Sequence, residues 1–486
     1  MLPGYDDVRA AGRPGANDPE LRRRLTPWRE RIGAAALAAL VFAGHLWLAL
    51  RLDALGLFER FNTLFGADPN LRLESLRRSD ALFRVPHPGL SYLLGIPVRA
   101  LGRAAAAVLP GDPAPDQVVR SIALGVAPLA SALTCLILLR LFRRLGFSFA
   151  AAFALTLLSA VSMSAIVFGS MPETYAVSAL AIALACALFL RSRERRGFGA
   201  ELGWLGVGVL AAGVTITNIA PVAVLYYFRG VHRGDRAGVA LARTVGIALL
   251  AVFVACAAGL AADRFLRVRR APGPSEREWI SRYIVEEPGL YYATFPTAIA
   301  NGIASPTPTR APGFAMEARR KAGAGRRKAA VAAPPKASEG ATLPDSTAAA
   351  ADRSPSRAPG SGLARLTLQP SHRVFSGRNF FGAVLVAALV WAALRRPGAN
   401  PALASLARAS LVIVGLNWAL HGFWGDETFL YSLHWHVPLM LLLAALLVAL
   451  GRGRRAPVVV LAAAALAVAA SNAVVLARAL SAFTGP

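Results

Sequence analysis

Nine stretches of this chain stay apolar for roughly the thickness of a lipid bilayer: 33–52, 121–140, 148–167, 174–190, 238–262, 379–394, 403–420, 430–450 and 456–477. A helix needs about 20 apolar residues to cross the hydrocarbon layer, and inside that layer only structures that satisfy their own backbone survive. A further stretch, 202–228, is too long for one crossing and short for two. It is interrupted at Thr215-Ile216-Thr217-Asn218, with Pro221 following, and reads as a hairpin of two short helices. The expectation is an all-α integral membrane protein with about eleven transmembrane segments.

Composition agrees. Of the 486 residues 55% are hydrophobic and 16% charged, where a soluble chain carries about a quarter charged. The formal net charge is nevertheless +26, and apart from Lys321, Lys328 and Lys336 all the cationic side chains are arginines. The charge is scattered over loops between apolar runs, which disfavours a nucleic-acid partner. Cys135, Cys186 and Cys256 each lie in an apolar run and read as small buried hydrophobes. No zinc spacing, P-loop, GxSxG or HExxH motif is present. The run 33–52 follows a basic N-terminus but lacks a small-residue cleavage site, so it reads as a retained anchor.

Charge assigns the sides. Arg22–Arg31, Arg140–Arg144, Arg191–Arg196, Arg229–Arg236, Arg395–Arg396 and Arg452–Arg455 all fall on one side if 202–228 is a hairpin. The positive-inside rule makes that side cytoplasmic, in an inner or plasma membrane, with the N-terminus inside. The alternate connections 110–119, 168–173, 213–219 and 421–429 carry no Lys or Arg. The stretch 89–109 would invert this pattern if it crossed. With Arg99, Arg103 and Pro97 it is predicted to lie in the outer interface as an amphipathic helix, and Leu73, Leu76 and Phe83 give 71–84 a weaker stripe. The division expected is therefore a basic N-terminus (1–32), a first module (33–262) with outer loop 53–119, a second outer loop (263–377), and C-terminal helices (378–486). The Ala, Pro, Ser, Gly, Lys and Arg content of 305–370 predicts disorder.

Polar residues collect on the outer side. The first loop carries Asp68 and Pro69, then His87-Pro88-Gly89. The second carries Pro172-Glu173-Thr174-Tyr175, the hairpin tip Thr215 to Asn218, and the late loop Trp424 to His436. Polar groups in or near a membrane need a reason, and a shared outer cavity would supply one. Each also has a plainer reading. Asp68 caps a helix begun by Pro69; Glu173 favours the positive end of a helix; Asn218 satisfies backbone freed at a helix break; His434 and His436 belong to an interfacial belt; His45 packs in a core.

The order of these elements resembles polytopic glycosyltransferases of the GT-C fold. His87-Pro88-Gly89-Leu90-Ser91-Tyr92-Leu93-Leu94 is similar to the HPPGYPLY element of the protein O-mannosyltransferase-like branch. Pro172-Glu173-Thr174-Tyr175-Ala176-Val177-Ser178-Ala179-Leu180 is similar to its AEVYALNAL element, and Gly213–Asn218 sits where that branch has a Gly-x-x-x-Asn-His-like break. The likeness covers about 50–230. One departure is plain: the branch has Asp-Ser-Gly-Glu in the first loop, where this chain has Gly66-Ala67-Asp68-Pro69.

The resemblance implies transfer of a sugar from a polyprenyl-phosphate donor, with inversion, to a lipid, glycan or protein acceptor. Asp68 would be the base, with Glu173 orienting the acceptor, and the two carboxylates would be where a divalent cation, Mg or Mn, is held. Arg84, Arg99 and Arg103, among the arginines at 72, 77, 78, 84, 99 and 103, would pair donor phosphate or lipid head groups. His87, Tyr175, Asn218, His434 and His436 would line the site. Two other classes compete: a lipid-linked-sugar transporter or flippase, expected to show repeats and mid-membrane polar groups, and a non-catalytic assembly protein.

Overall fold

The computed structural model describes residues 19–59, 67, 69–77, 87–111, 113–194, 197–265, 288–304, 309–312, 364–367, 377–395, 400–423, 432–451 and 455–484. These residues are almost wholly helical. Helix α1 (Pro19–Ala54) leads to two short helices, α2 (Pro69–Arg77) and α3 (Ile96–Ala106). Then come α4 (Pro115–Arg144), α5 (Phe149–Val161), α6 (Met163–Ser170), α7 (Tyr175–Ser192), α8 (Phe198–Val214), α9 (Ile219–His232) and α10 (Ala237–Phe265). The second half contributes α11 (Pro288–Ile303), α12 (Gly377–Leu394), α13 (Pro401–Phe423), α14 (Ser432–Gly451) and α15 (Arg455–Thr484). Thr309–Pro312 and Ala364–Thr367 pair as an antiparallel ladder, and the rest of the 305–370 segment lies outside the described residues.

Among the described residues seven helices are long and apolar enough to cross a membrane: α1, α4, α7, α10, α13, α14 and α15. The bent pair α5–α6 brings the number to at most eight, with α8 and α12 as shorter apolar helices. The surface is that of a multi-pass membrane protein. Leu249 and Phe253 on α10 and Leu466 on α15 stand exposed, while α4, α7 and α14 bury most of their apolar residues. Apolar side chains facing outward at this density are stable only against lipid or a partner.

The helix ends sort by chemistry. At one end Arg143 pairs with Glu30 (2.9 Å), Asn400 donates to the Leu145 carbonyl (2.9 Å) and His232 meets Ser405 (3.0 Å). The wholly buried Arg229 bonds Glu201 (3.0 Å) and the Ser192 carbonyl (3.1 Å), with its guanidinium 5.4 Å from the Tyr226 ring centre and 6.0 Å from that of Trp204. Glu201 opens α8 and Arg229 closes α9, so the two helices run antiparallel, the hairpin expected of 202–228. The arginine-rich connections 140–144, 191–194 and 229–236 thus share one end of the bundle. The other end gathers α2, α3, the α6–α7 connection and the α8–α9 tip.

Sequence reading missed two features here. Helices α5 and α6, expected as one segment, are bent by 59° at Ser162. The Ser162 backbone is extended (φ −63°, ψ 146°), and its hydroxyl caps α6 by accepting from the Ala165 amide at 3.3 Å. Helix α11, in the part of 263–377 where only a fold of unspecified kind was expected, buries Phe295, Thr297, Ala298, Ile299 and Asn301. Asn472 on α15, fully buried, donates at 2.9 Å to both the Val161 and the Ile303 carbonyls. It therefore closes the carboxyl ends of α5 and α11, whose last carbonyls have no partner within their own helices.

Candidate functional site

The α6–α7 connection sets Glu173. Helix α6 stops at Ser170, Met171 is extended, and a tight bond from the Glu173 amide to the Met171 carbonyl (2.7 Å) turns the chain into α7. The Glu173 side chain is 3% exposed. Its Oε2 accepts from Arg72 Nε at 3.3 Å, and Arg72 Nη2 reaches His87 Nε2 at 2.7 Å. Arg72 reaches inward because Leu73 and Leu76 anchor α2, both of the described members of the predicted stripe being buried. Phe83, the third, lies outside the described residues.

The protonation of His87 follows from its partners. Nδ1 lies 2.6 Å from the Val214 carbonyl oxygen, which can only accept, so Nδ1 donates. Nε2 faces a guanidinium, which can only donate, so Nε2 accepts. The ring is the neutral Nδ1–H tautomer. Desolvation and then the Arg72 charge hold its pKa well below 6.5, against the opposing pull of the Val214 carbonyl, with His434 adding a further lowering. The Val214 carbonyl is free for this bond because α8 ends there, Thr215 being extended (φ −154°, ψ 126°). The turn is also wedged in place. The Gly89 amide donates to the Gly213 carbonyl at 2.7 Å, and a Cβ on Gly89 would stand 2.6 Å from Gly213 Cα. On the other side Gly259 of α10 lets the helix come against the Pro88 carbonyl.

Arg72, Glu173, Pro172 and Thr174 form the polar end of a narrow cleft, whose other walls are Leu76, Leu90, Leu94, Val126 and Ala127. As it stands the cavity is only about 10 Å³, the space of a single water, so a ligand must part its walls to enter. Further along α4 from Val126, Leu129 and Leu133 are exposed. The cleft thus borders a surface suited to lipid. Behind Glu173, Tyr175 packs on Phe168 (ring centres 5.1 Å apart) and on His434 (5.5 Å), and His434 on His421 (5.9 Å).

The structure brings together Glu173, His87, Tyr175 and His434 of the residues singled out in the sequence, and separates the others. Asn218 is buried and donates to Ser178 Oγ at 2.7 Å, tying the hairpin tip to α7. His436 turns from His434 toward the α5–α6 break, where Nε2 meets Ser159 Oγ at 2.9 Å. Arg99 and Arg103 were expected on one face of an interfacial helix. Arg103 is exposed, but Arg99 is buried and donates to the Leu76 carbonyl at 3.3 Å, at the negative end of α2. Burial and then Arg103 pull the Arg99 pKa below its ordinary value. Arg84, Asp68 and Trp424–Tyr431 lie outside the described residues. His45 is buried beneath Gly169, where a side chain would strike it and Ser131.

Among the described residues no three His, Cys, Asp or Glu side chains gather as a metal site. Glu173 is already paired with a guanidinium, and His87 spends its one lone pair on Arg72. Asp68, the other carboxylate expected to hold a divalent cation, lies outside the described residues. One neighbour of the site escaped the sequence reading, His421, which packs on His434. It lies one turn after Asn417, and two polar residues at helical spacing beside an apolar run are the signal that marks it. Comparison of the chain with protein-family models, with curated proteins and with solved structures finds no match.

Proposed function

We propose that the protein is a membrane glycosyltransferase of the GT-C type. In this reading it moves a sugar from a polyprenyl-phosphate donor to a lipid, glycan or protein acceptor at the end of the bundle opposite its arginine-rich connections. One observation carries the reading: the cleft joins a guanidinium and a carboxylate to leucine walls beside a lipid-facing surface. An amphiphile with an anionic head and an apolar tail matches both halves.

In this mechanism the donor phosphate meets Arg72 and shares the guanidinium now held by Glu173, which loosens that carboxylate toward the acceptor. An acceptor hydroxyl attacks the anomeric carbon as the bond to the phosphate oxygen breaks. The configuration inverts, polyprenyl phosphate leaves with the bonding pair, and the hydroxyl proton passes to a carboxylate. Asp68 is assigned as that base and Glu173 as the group that orients the acceptor. The test is release of radiolabelled sugar from polyprenyl-phosphate donors by nanodisc-embedded protein. Asp68→Asn should lower release by about 100-fold or more, the range general-base catalysis supplies, and Glu173→Gln should lower it as well. Release equal to wild type in both would sink the assignment.

A second reading, a lipid-linked-sugar transporter, draws on the broken α5–α6 helix and the buried Ser159, Ser162, His436 and Asn472 around it. Movement of a fluorescent lipid-linked sugar across vesicles without hydrolysis would favour it.

A further inference from the structure

We propose that His87 is a positioning residue that aims Arg72, doing so as a neutral imidazole fixed in one tautomer. The argument rests on the two ends of the ring. The Nδ1 end is committed to the Val214 carbonyl at the break after α8, 2.6 Å away, with Thr215 Oγ1 at 3.1 Å. The Nε2 end therefore presents a lone pair, and Arg72 Nη2 sits on it at 2.7 Å.

A guanidinium is a rigid planar fork. Fixing Nε on Glu173 and Nη2 on His87 leaves no freedom to rotate, and Arg72 still lines the cleft. The imidazole itself cannot drift. Its turn is held to α8 by the Gly89–Gly213 bond and to α10 by the Pro88–Gly259 contact and the bond from Tyr92 to the Ala255 carbonyl (3.1 Å). Two helices distant in sequence thus set the direction of one arginine.

The ligand consequence rests on the proposal that the cleft takes an anionic lipid head; the tautomer does not. Two substitutions separate the ends of the ring. Asparagine places an amide donor near Nδ1 and nothing at Nε2. Glutamine places an acceptor near Nε2 and gives up the Val214 bond. The probe is farnesyl phosphate, titrated against the full chain in detergent micelles. His87→Asn should bind it about tenfold more weakly while unfolding close to wild type, as one charge-assisted hydrogen bond is worth. His87→Gln should recover most of the affinity while unfolding more easily. If affinity merely follows stability through both variants, or His87→Asn binds as wild type does, the positioning role is overturned. If the wild type does not bind farnesyl phosphate, the reading of the cleft fails. The tautomer is then judged separately by ¹⁵N spectra of histidine-labelled protein, with His87→Asn assigning the signals. Protonated Nδ1 and bare Nε2 at neutral pH support the proposal; a protonated Nε2 overturns it.

Discussion

Removing Arg72 should uncover a buried charge, and the size of the effect follows from the geometry. Glu173 Oε2 and Arg72 Nε are 3.3 Å apart, with side chains 3% and 16% exposed. At an effective dielectric constant of about 20, unit charges at that distance attract by about 5 kcal/mol. Burial of both groups offsets part of this, and breaking such a pair from one side costs about 3–5 kcal/mol. Glu173 keeps other interactions, which places Arg72→Met near the lower bound, about 3 kcal/mol. Glu173→Gln leaves no unpaired carboxylate, keeps an amide oxygen for Arg72, the more exposed partner, which also retains His87, and should cost about 1 kcal/mol, the worth of an ordinary hydrogen bond. In the Glu173→Gln background, Arg72→Met should then cost only about 1 kcal/mol more, giving a coupling near 2 kcal/mol. Reversible denaturant unfolding of the four proteins in mixed micelles measures this cycle. Coupling below about 0.5 kcal/mol, the usual additivity error, would refute the claim that the two charges depend on one another.

Four further outcomes are expected. Asn472→Leu preserves volume but strands two helix-end carbonyls, and should lower the unfolding free energy by about 1–3 kcal/mol in the same assay. Arg229→Leu should cost less than Glu201→Leu, because the second substitution leaves a wholly buried guanidinium without its carboxylate. Gly169→Ala strikes His45 and Ser131 and should cost about 1–3 kcal/mol, with His45→Ala in the same chain restoring part of it. His87 has a pKa below 6.5 in the folded protein, so below pH 6.5 the unfolded chain takes up the proton first. Its contribution to stability is full above pH 6.5 and is lost as pH falls toward the folded value; His87→Asn should flatten that limb of the stability–pH curve.

Apolar length and arginine placement made most of the helices legible, because a run of 18 or more apolar residues has few other fates. The 202–228 hairpin was readable for a second reason, the polar interruption at its centre. The α5–α6 bend was not, since Ser162 lies in a stretch apolar enough to pass for one helix and its break is stabilised by partners from elsewhere in the chain. Helix α11 was hidden by its 16 residues and an internal proline, Pro296. It is held by packing against α12, α13 and α14 rather than by its own hydropathy. At the site, local motifs found Glu173 and His87, but the pairing of Arg72 with both crosses 101 and 15 positions of sequence and could not be read from spacing.

The polar residues at the helix breaks and at the cleft divide by what they bond. Asn472 and Ser164 serve backbone carbonyls at helix ends, Ser162 serves the opening amides of α6, and His436 and Asn218 bond serines of α5 and α7. Their presence follows from the broken helices, which in a water-poor interior must find partners for every freed group. Such residues explain why polar side chains sit here without implying chemistry. Arg72 and Glu173 do not fit that account. Their mutual bond is an ion pair between two helices, and both groups line the cleft. A charged pair is a costly way to fill a gap that leucine would fill, as the rest of the same cleft shows. His87 stands between the two groups, one nitrogen closing α8 and the other holding the arginine. It links the price of breaking a helix to the placement of the one cation that faces the cleft among the described residues.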